Sequence, residues 1–251
     1  MCTAITFSRK DFFFGRTLDL ERTYGEEVVI SPRNFELPFL HCSDLKSHYA
    51  IIGIAHVSKK YPLYYDAVNE AGLCMAALNF PGFAQYGIVT EGMDNVACFE
   101  FIPWVLGQCE SVKDVQKLLE QLCLTGTPFS KELPTTQLHW MIADQTQCIT
   151  VEPLAGGIRV YDNPVGVLTN SPPFDDQLFL LRNYMHLSPY PPRNSFSTDL
   201  DLKPYSRGWE PLVYREIFPH SPVLSARHLQ NSTPYAKIRI VSISSFIFSD
   251  L

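Results

Sequence analysis

Cysteine stands directly behind the initiator methionine, in Met1-Cys2-Thr3-Ala4-Ile5-Thr6. If Met1 is removed, Cys2 gains a free α-amine beside its own thiol. Such an amine titrates at about pH 8, so it can take the thiol proton while the sulfur attacks a carbonyl carbon. An internal cysteine needs a neighbouring histidine for the same work, and none of the seven histidines lies near the N-terminus in sequence. Removal of the initiator is favoured when the second residue is small, as cysteine is. The plain alternative is a buried thiol at the start of a strand. The dipeptide alone leaves both open.

Four further residues can serve a nucleophile at Cys2. Arg16 and Asp19 lie three apart in Gly15-Arg16-Thr17-Leu18-Asp19, just past a second short apolar run. A hairpin between the two runs returns them toward Cys2. Asp19 can then accept a hydrogen bond from the amine or hold the thiol, and Arg16 can favour the thiolate by its charge. A surface salt bridge is the other reading. Asn79 and Asn170 each close an apolar segment, in Leu78-Asn79-Phe80-Pro81-Gly82 and Leu168-Thr169-Asn170-Ser171. Their amides can donate to the oxyanion that forms when a carbonyl is attacked, or they can simply cap turns. Together these residues permit an amidase.

Composition narrows the class. The 251 residues, 46% apolar and 18% charged, suit a globular protein with one sizeable core. The net charge of -6 and the absence of a basic block argue against a nucleic-acid partner. Seven cysteines, an odd number without a CxxC, argue against a disulfide framework or a cysteine zinc site and for a reducing compartment. There is no HExxH, and His41 and His48 are isolated, so neither metal nor cofactor is expected. Arg9, Lys10 and Asp11 interrupt any secretion signal, and no run of about 18 apolar residues could span a bilayer. The expectation is a cytoplasmic protein without a membrane partner.

The elements that must position these residues read mainly as strands. Cys2–Phe7 and Phe12–Arg16 flank a polar turn, and Glu27–Ser31, Ala50–Val57 and Gly72–Asn79 follow. Phe99–Cys109 is apolar on most sides and reads as a buried helix. Over Ser111–Cys123, Val112, Val115, Leu118, Leu119 and Leu122 share one face at helical spacing, with Ser111 as cap and Asp114 three residues on. Strands return at Leu138–Ala143, Cys148–Glu152, Ile158–Tyr161 and Val165–Thr169, then a helix over Phe174–His186 and a proline-rich stretch at Pro189–Arg193. This order predicts an α+β fold with helices outside layered antiparallel sheets, in one domain.

At this point longer motifs carry an identification. MCTAI, FGRTLDL, YPLYYDAVNEAGLCMAALNFPG, FEFIPWVLGQC, LHWMIAD and YDNPVGVLTNSP resemble the choloylglycine hydrolase family of bile salt hydrolases and penicillin V acylases, within the N-terminal-nucleophile hydrolases. The resemblance implies a four-layer αββα sandwich, assembled as a homotetramer. It makes Cys2 the nucleophile and, through its amine, the acid and base. Asp19 orients the amine, Arg16 supports the thiolate, and Asn79 and Asn170 serve the oxyanion. Asparagine at 79 resembles the bile salt branch, where penicillin V acylases more often carry tyrosine. The implied substrate is a small-molecule amide, a glycine- or taurine-conjugated bile salt. The alternatives are a penicillin V acylase-like amidase and an inactive truncated relative. An apolar mouth is expected around Leu20–Tyr24 and near Gln137. Thr17 and Ser171 stand where the family commonly has asparagine.

The resemblance covers residues 1–208, the expected hydrolase domain. After Tyr205-Ser206-Arg207-Gly208 the family continues with a sequence close to MGG-GLPGD-SS-SRFVRA, whereas this chain continues Trp209-Glu210-Pro211-Leu212-Val213-Tyr214. Codons for Trp209 to Ala226 exist that, preceded by one added A, translate as MGAFGLPGDFSSQSRFVR. Residues 209–251 therefore read as a tail in a displaced frame. On this reading Arg227 does not replace the arginine of SRFVRA, and the sandwich is incomplete at its C-terminus. The tail's Ile238–Phe248 is β-branched and apolar, able to pair as a strand or to aggregate.

Overall fold

The N-terminal hairpin sets the register on which the site depends. In the computed structural model, β1 (Thr3–Ser8) and β2 (Phe12–Thr17) are antiparallel, with Thr3 opposite Thr17 and Ala4 opposite Arg16. Alternation turns Ala4, Phe12, Phe14 and Arg16 to one buried face. The structure describes residues 2–185, residue 199 and the backbone of residues 239–243. Those up to Phe174, with the strand at 239–243, form one unit; those from Asp175 belong to a second.

Two sheets make up most of the first unit. In the smaller, β12 (Val167–Leu168) pairs with β1, and β13 (Arg239–Ile243) runs parallel to β2. The apolar segment of the tail thus forms a strand over part of its expected length. The larger sheet holds β3 (Glu26–Ser31), β4 (Ile51–Ser58), β5 (Tyr61–Asn69), β6 (Cys74–Asn79), β9 (Leu138–Ala143), β10 (Cys148–Leu154) and β11 (Gly157–Asp162). Its order is β11-β10-β9-β6-β5-β4-β3, antiparallel throughout. A separate parallel pair joins β7 (Asp94–Ala97) to β8 (Leu122–Thr125).

β5 is a strand that periodicity does not reveal. Tyr61, Pro62, Tyr64, Asp66, Ala67, Val68 and Asn69 are all buried, because both faces of this central strand are covered, and a two-sided strand loses the alternating pattern. Its neighbour β4 must come close: a Cβ on Gly53 would lie 2.1 Å from the Asp66 carbonyl oxygen and 2.6 Å from Ala67 Cβ. Only glycine fits there.

Helices cover one face of the larger sheet. α1 (Phe101–Gln108) is buried from Phe101 to Gly107 and packs on β4, β5 and β6. Phe101 meets the fully buried Trp140 edge to face, ring centroids 4.8 Å apart. α2 (Val112–Leu118) has the expected cap: Ser111 Oγ accepts from the Asp114 amide and donates to its carboxylate. The helix expected to reach Cys123 ends earlier, in a 3₁₀ turn at Leu119–Gln121. From Leu122 the backbone pairs with β7, burying Leu122 and Leu124, so sheet pairing overrides the helical spacing.

On the other face of the larger sheet, Arg16 of β2 donates to the Tyr65 carbonyl of β5 and the Ala77 carbonyl of β6, linking the two sheets. Helix, sheet and sheet are three layers of the αββα sandwich. α3 (Phe174–Leu181) begins in the first unit and continues in the second as a 3₁₀ turn at Arg182–Tyr184. His186, Pro189–Arg193, the boundary expected at residue 208 and Arg227 lie outside the described residues.

Candidate active site

The hairpin register carries Cys2 onto the same buried face as Ala4 and Arg16, level with Leu18. Cys2 is 5% exposed. Its backbone nitrogen donates to Asn170 Oδ1 at 2.7 Å, and Asn170 Nδ2 donates to the Asn79 carbonyl at 2.8 Å. Two asparagines 91 positions apart in sequence therefore meet at Cys2. Asn79 comes from the end of β6 and Asn170 from the turn after β12. A backbone N–H on one side and a carbonyl on the other leave one orientation for the Asn170 amide. That orientation turns its oxygen to Cys2, a geometry that orients the Cys2 nitrogen, and commits one Nδ2 hydrogen to Asn79. Donation to an oxyanion was expected of both residues; Asn79 is solvent-exposed at the strand end, and its backbone carbonyl accepts from Asn170.

Arg16 is sealed inside rather than exposed to solvent. Besides the two carbonyls that accept from its Nη1 at 3.1 and 2.9 Å, its Nε donates to the Thr17 carbonyl. Asp66 Oδ2 lies 3.8 Å from Nη1. Burial pushes the Asp66 carboxyl up to about 6, although the Arg16 charge opposes the shift. Neither Asp66 oxygen has a well-formed hydrogen bond among the described residues. The sequence reading missed Asp66; its signal was a lone carboxylate inside YPLYYDAVN. Asp19 lies two residues beyond β2 at the same end as Cys2, partly buried.

A second buried pair went unread, His139 within LHWMIA and Glu152 within CITVE. Both are fully buried, with His139 Nδ1 2.9 Å from Glu152 Oε1 and Nε2 2.8 Å from the Thr169 carbonyl. The Phe174 amide donates to both Glu152 oxygens, at 3.1 and 3.2 Å. Phe80 stacks on the imidazole at 4.2 Å.

The two departures from the family's asparagines both find bonds. Thr17 Oγ1 accepts from the Thr3 amide at 3.0 Å, and Ser171 Oγ donates to the Pro81 carbonyl at 3.3 Å. Gln137 holds the turn after Asn79 through Gly82 and Ala84. In the expected mouth, Tyr24 is exposed with the Arg22 guanidinium over its ring, and Phe83 is exposed beyond Asn79. Burial pushes the thiols of Cys74, Cys109 and Cys148 up to about 12, which leaves them inert at neutral pH. Among the described residues, no cluster of three His, Cys, Asp or Glu side chains is placed to hold a metal, and no helix is long and apolar enough to cross a membrane.

Residues 2–237 match the linear amide C–N hydrolases, choloylglycine hydrolase family. The chain belongs to this family. The match runs past the junction expected near Gly208. A bile salt hydrolase/transferase of Lactiplantibacillus plantarum is 50% identical over 208 residues, 83% of this chain and 64% of its own length. A conjugated bile acid hydrolase of Lactobacillus gasseri is 33% identical over 251 residues, covering 98% of this chain and 79% of its own. The crystal structure of a variant of the conjugated bile acid hydrolase from Clostridium perfringens superposes with a TM-score of 0.76 at 33% identity, over 83% of this chain and 65% of that one. This chain thus spans just under two thirds of the first relative's length.

Proposed function

We propose that this chain is a cysteine amidase of the bile salt hydrolase type, releasing glycine or taurine from conjugated bile salts. The observation that carries the reading is the seat of Cys2, whose nitrogen is held by Asn170 at 2.7 Å on a buried strand face beside Arg16. Relatives at 50% and 33% identity named for bile salt or bile acid hydrolysis support the substrate class. Asparagine at 79 favours it over the penicillin V branch.

Loss of Met1 frees the Cys2 amine. The thiol proton passes to that amine as sulfur adds to the amide carbonyl, and the oxygen becomes an oxyanion facing the Asn79 amide. The C–N bond then breaks, and the leaving glycine or taurine takes the proton. Water, deprotonated by the same amine, hydrolyses the thioester and restores the thiol. Asn170 and Asp19 orient the amine, and the Arg16 charge favours the thiolate. No cofactor takes part. The site of action is the cytoplasm, in keeping with seven unpaired thiols, and the working assembly is the homotetramer that the family resemblance implies.

The test is release of glycine and taurine from conjugated cholate by the purified chain, with penicillin V alongside and intact mass to report Met1. Release of either amino acid by Met1-free protein is the expected result. Cleavage of penicillin V alone would move the chain to the acylase reading, and silence from Met1-free, folded protein would sink the amidase.

A further inference from the structure

The His139–Glu152 pair lies where the two asparagines at Cys2 converge. His139 Nε2 bonds the carbonyl of Thr169, the residue before Asn170. Its ring stacks on Phe80, the residue after Asn79. Glu152 receives the Phe174 amide, four residues beyond Asn170. The pair therefore grips the 169–174 turn at both ends and touches the strand end opposite. Both side chains are inaccessible to solvent, so no water competes for these bonds.

We propose that His139 and Glu152 are positioning residues that hold Asn170 against the Cys2 nitrogen; this rests on reading Cys2 as the nucleophile. The Thr169 carbonyl can only accept, so Nε2 carries a proton. Glutamine at 152 preserves the arrangement: its N–H donates to Nδ1 and its oxygen accepts from Phe174. Alanine removes both contacts. Phenylalanine at 139 keeps the stacking on Phe80 and removes the bond to Thr169.

The experiment measures the rate at which iodoacetamide alkylates Cys2 in the Met1-free full chain, read peptide by peptide. Because the readout is Cys2 itself, an absence of bile salt hydrolysis would leave the result intact. Glu152→Ala and His139→Phe should each slow alkylation about tenfold, the loss of roughly one buried hydrogen bond. Glu152→Gln should stay within about threefold of the parent. In an Asn170→Ala background, His139→Phe should add nothing, since the effect runs through Asn170. Parent rates in Glu152→Ala and His139→Phe, or losses that add to that of Asn170→Ala, would overturn the proposal. The buried Cys74 and Cys98 report folding in the same digest. Should a variant expose them, the parent chain decides: a proton on His139 Nε2 in long-range ¹H–¹⁵N spectra supports the arrangement, and a bare Nε2 refutes it.

Discussion

Arg16 and Asp66 face each other across the two sheets, 3.8 Å apart, with 1% of each side chain exposed. The separation is too long for a hydrogen bond, and the Arg16 nitrogen involved is already bound to two carbonyls. Coulomb attraction therefore only partly offsets the cost of burying the carboxylate, whose folded value rises to about 6. A raised carboxyl stabilises the fold below its unfolded value, near 4, and loses that contribution as pH climbs toward 6. Asp66→Asn, which cannot ionise, should remove this loss. Urea midpoints at pH 4 and pH 7.5 should show the variant gaining roughly 3 kcal/mol on the parent across that interval. Parallel pH profiles for the two proteins would show that Asp66 does not titrate there.

Asn69 ties β5 to the end of α1. Its Nδ2 donates to the carbonyls of Leu106 and Cys109, at 2.9 and 2.7 Å, and its Oδ1 accepts from the Leu73 amide at 3.0 Å. These are buried groups that water cannot reach, and two of them are end-of-helix carbonyls without a helical partner. Asn69→Ala should destabilise the fold by about 2–4 kcal/mol, read as a lowered urea midpoint with an unchanged slope. Asn69→Asp, which retains only the bond from Leu73, should be no better. A midpoint within about 0.5 kcal/mol of the parent would mean that the helix end finds other partners.

The legible and illegible parts of this chain divide on a physical line. Cys2, Arg16, Asn79 and Asn170 sit at strand ends or in a one-sided hairpin, where alternation and turn residues stand out in sequence. The structure brings Cys2, Asn79 and Asn170 into one hydrogen-bonded chain. Their chemical roles came from family resemblance, since each alone also suits a cap or a core. Asp66, His139 and Glu152 escaped notice because they lie inside apolar strands covered on both faces, where a polar residue breaks no periodic pattern. The β7–β8 pair escaped for another reason. Leu122 continues the helical spacing of α2, and only a partner strand remote in sequence decides that the backbone leaves the helix there.

The bonds of Asn170 to the Cys2 nitrogen and to the Asn79 carbonyl have contributions that can be separated. Asn170→Ala loses both the acceptor for the Cys2 nitrogen and the donor to Asn79. Amide hydrolysis should fall about a hundredfold in kcat with little change in KM, as for a group that acts on the reacting centre rather than on substrate affinity. Asn170→Asp still accepts from Cys2 but cannot donate to the Asn79 carbonyl. It should fall between alanine and the parent, about tenfold down. Equal loss in the two variants would assign the effect to the Asn79 bond, and a loss confined to KM would remove Asn170 from the chemistry.

The tail gives the last prediction. β13 runs parallel to β2 with Val241 opposite Gly15 and Ser242 opposite Arg16, so a segment from residues 209–251 covers the edge of the strand that bears Arg16. An uncovered edge there would invite pairing with another chain. If the frame is displaced near Gly208, adding one base replaces this segment with different residues and restores the arginine of SRFVRA. The restored chain should then hydrolyse conjugated bile salts at least about a hundredfold faster than the 251-residue chain. It should also protect the amides of residues 13–17 from exchange at least as well. Equal rates from the two chains would show that nothing the displaced frame removes is needed for chemistry, and an uninterrupted coding sequence across the junction, identical in length to that of an active relative, would end the displacement reading outright.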